Sequence, residues 1–178
     1  MDILAHGLWT NVMYRSIPKT RENSKIIWWG VLFGMLPDLV SFTPVILVRL
    51  YYTVFENHPA TFLTEAFHTY KFSEYATISY NYTHSIVIWI VAAALIWLYL
   101  KEFPWVLLGW GIHVFIDIFS HTFDFFATPF LFPISDFEVS IISWAHPGFM
   151  IVNYSLLLIL YFFALLGRQA STSVNQQQ

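Results

Sequence analysis

Four apolar runs, at 26–52, 85–100, 104–123 and 149–167, decide the solvent in which this chain can fold. A helix crossing a bilayer needs roughly 20 mostly apolar residues. The first run exceeds one crossing but is interrupted by Pro37, Asp38 and Pro44, where the helix is expected to break. The second reaches the required length with Thr83 and His84 at its start, and the last is the cleanest. The third would be a plain span except for His113, Asp117 and His121. Only 11% of the 178 residues are charged, against about 25% in a soluble domain. The expected fold is all-α, a multi-pass integral membrane helical bundle with about four membrane-embedded helices. A short N-terminal helix, over "MDILAHGLWTNVMY", is expected to lie half inserted against it, since it lacks the basic start and cleavage site of a signal peptide. No linker divides the chain, so residues 1–167 read as one domain and the polar residues 168–178 as a disordered tail.

Several function classes fall away at once. Cysteine is absent, which removes disulfides and thiolate chemistry. A net charge of −3 without a basic, aromatic-rich patch gives no nucleic-acid footprint. The basic residues instead report topology. Arg15, Lys19, Arg21 and Lys25 cluster before the first long run, Lys101 lies in a turn on the same side, and Arg168 follows the last run. Stretches 53–83 and 124–148 hold one Lys and no Arg. The positive-inside rule places the basic turns in the cytoplasm and these two loops outside an inner, or cell, membrane.

Ionisable residues within the apolar runs carry the functional signal. His113, Asp117 and His121 are spaced by four and form one helical stripe. Such a stripe can be hydrogen-bonded glue between helices, but buried charge in a bilayer is usually functional. Asp38 follows Pro37 and reads either as a capping aspartate at a kink or as a cavity-lining group. His84 follows Thr83, a natural N-cap, and alone reads as interfacial. His6 alone reads as a core histidine. At about 1.5 Å per residue, Asp38 and Asp117 each lie roughly 20 Å from the inner side, His113 roughly 13 Å, and His84 and His121 near 25 Å. His6 can reach the lower part of that zone, so all six converge.

Histidine and carboxylate without cysteine suit Zn, Mn or Fe. Six groups exceed what one tetrahedral ion needs, and Asp117 could bridge two ions through its two oxygens. A helix beginning near Thr83 would aim free N–H groups at the same place, a ready anion site. Two other readings stay open. One is a non-enzymatic divalent-metal or proton transporter using the cluster as a relay. It needs a polar route to both faces, whereas the inner half of the spans is apolar, which favours a one-sided pocket. The other is haem held between His84 and His121.

Five segments, "MDILAHG", "MLPDLVSF", "YNYTHSIVIW", "HVFIDIFSH" and "TPFLFPISD", resemble in order and spacing the membrane-bound metal-dependent hydrolase family of bacteria and archaea. The resemblance runs from Met1 to Gly167. It implies His6, Asp38, His84, His113 and Asp117 as the polar motif positions, with His121 outside the pattern as a possible extra ligand. The family is distantly similar to zinc-dependent phospholipase C proteins, helical enzymes with several zinc ions. The implied activity is hydrolysis of a phosphoester in a lipid or lipid-linked substrate by a metal-activated water, with Asp38 and His84 as catalytic candidates. Some members carry His-Arg-Gly before the Thr-His-Ser motif. Ser79, Tyr80 and Asn81 stand there instead, so a basic contact to an anionic substrate is missing. Of the remainder, His58 and His68 read as exposed loop histidines, and His146 as interfacial. Asp124, Asp136 and Glu138 read as solvated loop charges, with Asp124 close enough to the stripe to edge the pocket, and Arg49 as a snorkelling cation. Gly109 and Gly111 read as sites of close helix contact.

Overall fold

A computed structural model describes residues 1–56 and 71–175. His58 and His68 lie outside these residues, as does the side chain of Arg49. The described chain is helical, without strands: α1 (Ile3–Ser16), α2 (Ser24–Phe55), α3 (Lys71–Thr83), α4 (Ile86–Leu100), a 3-10 turn (Trp105–Leu107), α5 (Leu108–Ser120) and α6 (Pro147–Asn175). The last helix therefore continues past Gly167 through eight residues read from sequence as irregular.

Among the described residues, two helices are long and apolar enough to cross a membrane: α2 and the Pro147–Ala164 part of α6. The pair α3 and α4, bent by 56° at a short break, gives a third if taken as one span. Trp105–Ser120 is apolar but short. The expected four embedded helices thus reduce to two or three spans. The physical reason is length: 15 residues of α4 rise about 22 Å, less than the roughly 30 Å hydrocarbon layer.

Burial in this molecule follows polarity rather than apolarity. The buried face of α1 carries His6, Thr10, Asn11 and Tyr14, while Leu4 is exposed. None of the fifteen residues of α4, from Ile86 to Leu100, is buried. Such a distribution would fail in water and suits a hydrocarbon solvent, where apolar side chains gain nothing by turning inward.

What lets the polar faces meet is a seam of glycines. Gly30 and Gly34, the ends of "GVLFG" in α2, form a small-xxx-small pair. A Cβ on Gly30 would strike the ring of Tyr14, and one on Gly34 would strike Thr10 Oγ1. A Cβ on Gly109 would collide with the carbonyl of Gly30, so α5 lies backbone against backbone on α2. Gly111 makes the matching approach to the Trp89 indole of α4. The Tyr14 hydroxyl then ties α1 to the start of α5. It donates toward the carbonyls of Trp105 (2.6 Å) and Val106 (2.9 Å) and accepts from Gly109 N–H (2.9 Å).

Three local expectations are corrected. First, α2 does not break at Pro37 or Pro44; both lie inside one continuous helix. A proline removes the N–H that would bond the carbonyl four residues back. For Pro44 that carbonyl belongs to Val40, and the Tyr75 hydroxyl of α3 supplies the missing donor at 3.0 Å. Second, stretch 53–83 is not all loop, because 71–83 form α3. Third, the N-cap of α4 is Ser85, whose Oγ accepts from Ile88 N–H; Thr83 ends the preceding helix.

Candidate metal centre

The functional side chains are delivered by several pieces of this frame. Asp38 sits four residues beyond Gly34, on the seam face of α2. His113 and Asp117 share one face of α5, and His84 occupies the break between α3 and α4. His6 stacks on His113 from α1, with ring centroids 3.7 Å apart. The polar stripe does not continue helically to His121, since α5 ends at Ser120 and His121 is extended. Its side chain still turns back, with Nε2 3.5 Å from Asp117 Oδ1. Hence all six residues singled out in the sequence meet. All are buried, and Asp38 is the most accessible at 3%.

Backbone carbonyls fix the histidine tautomers. A carbonyl only accepts, so a ring nitrogen bonded to one carries the proton. His113 Nδ1 donates to Gly34 O (2.7 Å), His84 Nδ1 to Tyr80 O (3.2 Å) and His121 Nδ1 to Phe126 O (2.8 Å). Each Nε2 is left bare and turned inward. Orientation of a ligating histidine by its other nitrogen is what a metal site requires.

The bare atoms lie at the spacing of neighbouring ligands on one ion, all within 4.8 Å of one another. His84 Nε2 and His113 Nε2 are 3.0 Å apart. Asp38 Oδ1 lies 3.4 Å from the first and 3.8 Å from the second. Asp117 Oδ2 lies 3.5 Å and 3.2 Å from the same two nitrogens. Zinc bonds of about 2.0–2.1 Å imply ligand-to-ligand edges of about 3.3–3.4 Å. Two unprotonated nitrogens and two carboxylates at such range repel one another unless a cation or protons lie between them. The donor set therefore fits a divalent ion held by Asp38, His84, His113 and Asp117.

The other carboxylate oxygens face a second group of donors. His6 Nε2 is 3.0 Å from Asp117 Oδ1 and 3.9 Å from Asp38 Oδ2. His121 Nε2 approaches the same Asp117 oxygen. The Met1 ammonium ion-pairs with Asp117 Oδ1 and lies 2.9 Å from His121 Nε2, so a positive charge already occupies this side. Ser120 Oγ donates to Asp117 Oδ1 at 3.1 Å.

Other expected features do not join the centre. His146 is exposed, and its Nδ1 accepts from Gly148 N–H at the start of α6. Asp124 is exposed, as a solvated loop charge is. The anion site expected at the start of α4 is already used, because Ile86 N–H donates to Phe130 O and Ile88 N–H to Ser85 Oγ. Haem between His84 and His121 is excluded by crowding, since Asp38, His113 and Asp117 close around His84.

Two supporting residues escaped the sequence reading. Tyr80 stacks on His84 at 3.7 Å, and its hydroxyl donates to Phe126 O, beside His121 Nδ1. Its spacing from His84, one helical turn, was the available signal. Gly34 was marked by the small-xxx-small pattern alone. No family model matches the chain, and no curated protein or solved structure matches it.

Proposed function

We propose that the chain is a membrane-embedded, metal-dependent hydrolase that cleaves a phosphoester of a lipid or lipid-linked substrate. The observation that carries this reading is the convergence of two Nε2 atoms and two carboxylate oxygens within 4.8 Å of one another, with the Nδ1 side of each imidazole turned to a backbone carbonyl. Zinc is the ion that best suits a His and Asp set of this size, ahead of Mn or Fe. Each carboxylate turns one oxygen toward His84 and His113 and the other toward His6, and a second ion on that side would have to displace the Met1 amino group from Asp117. The resemblance to the metal-dependent hydrolase family points the same way, and rests on its five motifs.

Ions held there would polarise a phosphoryl oxygen and make a water nucleophilic near neutral pH. The chain's own groups have distinct parts. His113 and His84 are held rigidly by Gly34 and Tyr80. Asp38 would orient the attacking water or serve as a ligand. His6, whose Nε2 lies 3.0 Å from Asp117 Oδ1, would move a proton at that atom. Supporting an extracytoplasmic opening, the far end of the bundle carries both the basic residues and exposed aromatic anchors: Trp28 and Trp29 beside Lys25, and Trp97 and Tyr99 beside Lys101.

Complete burial of the cluster favours one alternative, a divalent-metal transporter that holds its ion in transit. Metal counting and turnover separate the two. Purified wild type is expected to contain about one to two zinc ions per chain, as a His/Asp centre of this kind predicts. Asp117→Asn and His113→Ala, each checked for helix content, should lose most of it. Unchanged metal in both variants removes the centre. Metal-loaded protein that moves zinc across vesicles but releases no phosphate or headgroup from a phospholipid selects the transporter.

A further inference from the structure

We infer that a groove at the start of α2 binds an anionic phospholipid, with Lys25 on the phosphate and Trp28, Trp29 and Leu32 along the acyl chain. The groove has a volume of about 350 Å3 and is lined by Ser24 together with those four residues. Ser24, Trp28 and Leu32 are spaced by four, as are Lys25 and Trp29, so two neighbouring ridges of one helix form its floor. From Ser24 to Leu32 the lining grades from polar to apolar over about 12 Å. A phospholipid grades the same way from headgroup to chain.

Charge and exposure together select the occupant. Trp28 is 64% exposed and Trp29 57%, on a helix long and apolar enough to cross a membrane. Lys25 is exposed as well, and it makes no ion pair among the described residues, whereas Arg21 in the preceding turn meets Glu22 at 3.5 Å. Arg15, Lys19, Arg21 and Lys25 make this end of the helix basic in a chain whose net charge is −3. Clustered cations beside a spanning helix attract anionic lipid. A soluble anion would satisfy Lys25 and leave the indoles uncovered. A zwitterionic lipid would cover the indoles and bring a second cation to Lys25. An anionic phospholipid answers both needs.

The groove is separate from the candidate centre, because thirteen residues of helix place Lys25 about 20 Å from Asp38. Binding there does not rest on the function proposed above. The other basic turn supplies a comparison. Lys101 also stands beside exposed aromatics, Trp97 and Tyr99, but Glu102 follows it directly.

The test is native mass spectrometry of the full chain in detergent, titrated with dioleoyl phosphatidylglycerol and with dioleoyl phosphatidylcholine. Wild type should retain one phosphatidylglycerol about fivefold more tightly than phosphatidylcholine, the effect of one lysine near a lipid surface. Lys25→Gln should equalise the two lipids, Lys25→Arg should keep the preference, and Lys101→Gln should leave it unchanged. Trp28→Ala combined with Trp29→Ala should weaken both lipids alike. Wild type stripped of zinc by a chelator should keep the preference. Equal binding by wild type, or a preference that survives Lys25→Gln, overturns the inference. So does an equal loss in Lys101→Gln, which would mean diffuse attraction without a site. Wild-type affinity in the double tryptophan variant removes the groove, and a preference lost with the zinc moves the lipid to the metal centre. The lysine variants decide the matter even if the tryptophan variant fails to fold, since they alter one exposed side chain.

Discussion

Helices α4 and α5 are near neighbours in sequence and similar in length, yet they are used in opposite ways. All fifteen residues of α4 are apolar or aromatic, and none is buried. The thirteen of α5 include His113, Asp117, Ser120 and Gly109, and those four are buried along with Val114. In a soluble domain the greasier helix would form the core. Here the greasier helix is the wall and the polar one is the core, the arrangement expected where the surrounding solvent is hydrocarbon. Association between such helices comes from close packing and hydrogen bonds, not from apolar burial. Stability and chemistry are therefore drawn from the same small set of polar and glycine positions.

The contrast can be broken by substitution. The largest effect is expected at the seam. Gly109→Val drives a side chain into the Gly30 carbonyl and should destabilise the fold by about 3 kcal/mol or more, read as a shift in the unfolding midpoint in a denaturing-detergent titration. A smaller loss is expected for Tyr14→Phe. It leaves Gly109 N–H without its acceptor and takes the hydroxyl donor from two carbonyls that keep only Leu108 N–H, at a cost of about 1–3 kcal/mol, while metal content should persist. The smallest belongs to α4, where Leu95→Ala should change stability by no more than about 0.5 kcal/mol, since Leu95 is 62% exposed. A cost at Leu95 matching that at Tyr14 would show that α4 packs against something, and the comparison would fail.

How much of this was legible in the sequence depended on whether the signal was local. The α5 stripe was legible because spacing by four is a property of one helix. The meeting of His6, Asp38 and His84 was legible only as a shared depth. The seam that joins them needs two glycines on α2 and a third on α5; Gly109 was legible as a close-contact site, while the pair in "GVLFG" was passed over. Continuity of α2 through Pro44 could not be read locally, because the donor that rescues Val40 is a tyrosine on another helix. Helix α3 was misread for its polar composition, although Ala76, Tyr80 and His84 follow at helical intervals and are all buried. The end of α5 at Ser120 was equally nonlocal. Ser120 O is taken by Trp144 N–H, and His121 leaves the helix to reach Phe126.

Gly34 carries two of these duties on adjacent atoms. Its missing side chain admits Thr10, and its carbonyl holds the proton of His113 Nδ1. A methyl group added there would push α1 outward and tilt the very carbonyl that keeps the imidazole in its ligating form. Damage to the seam at this residue would first be felt as a protonation error: a histidine that presents N–H where a lone pair is needed, in a chain still folded. The thermometer and the metal assay would then disagree, and that disagreement is the signature of a position where architecture and acid–base state share a single bond.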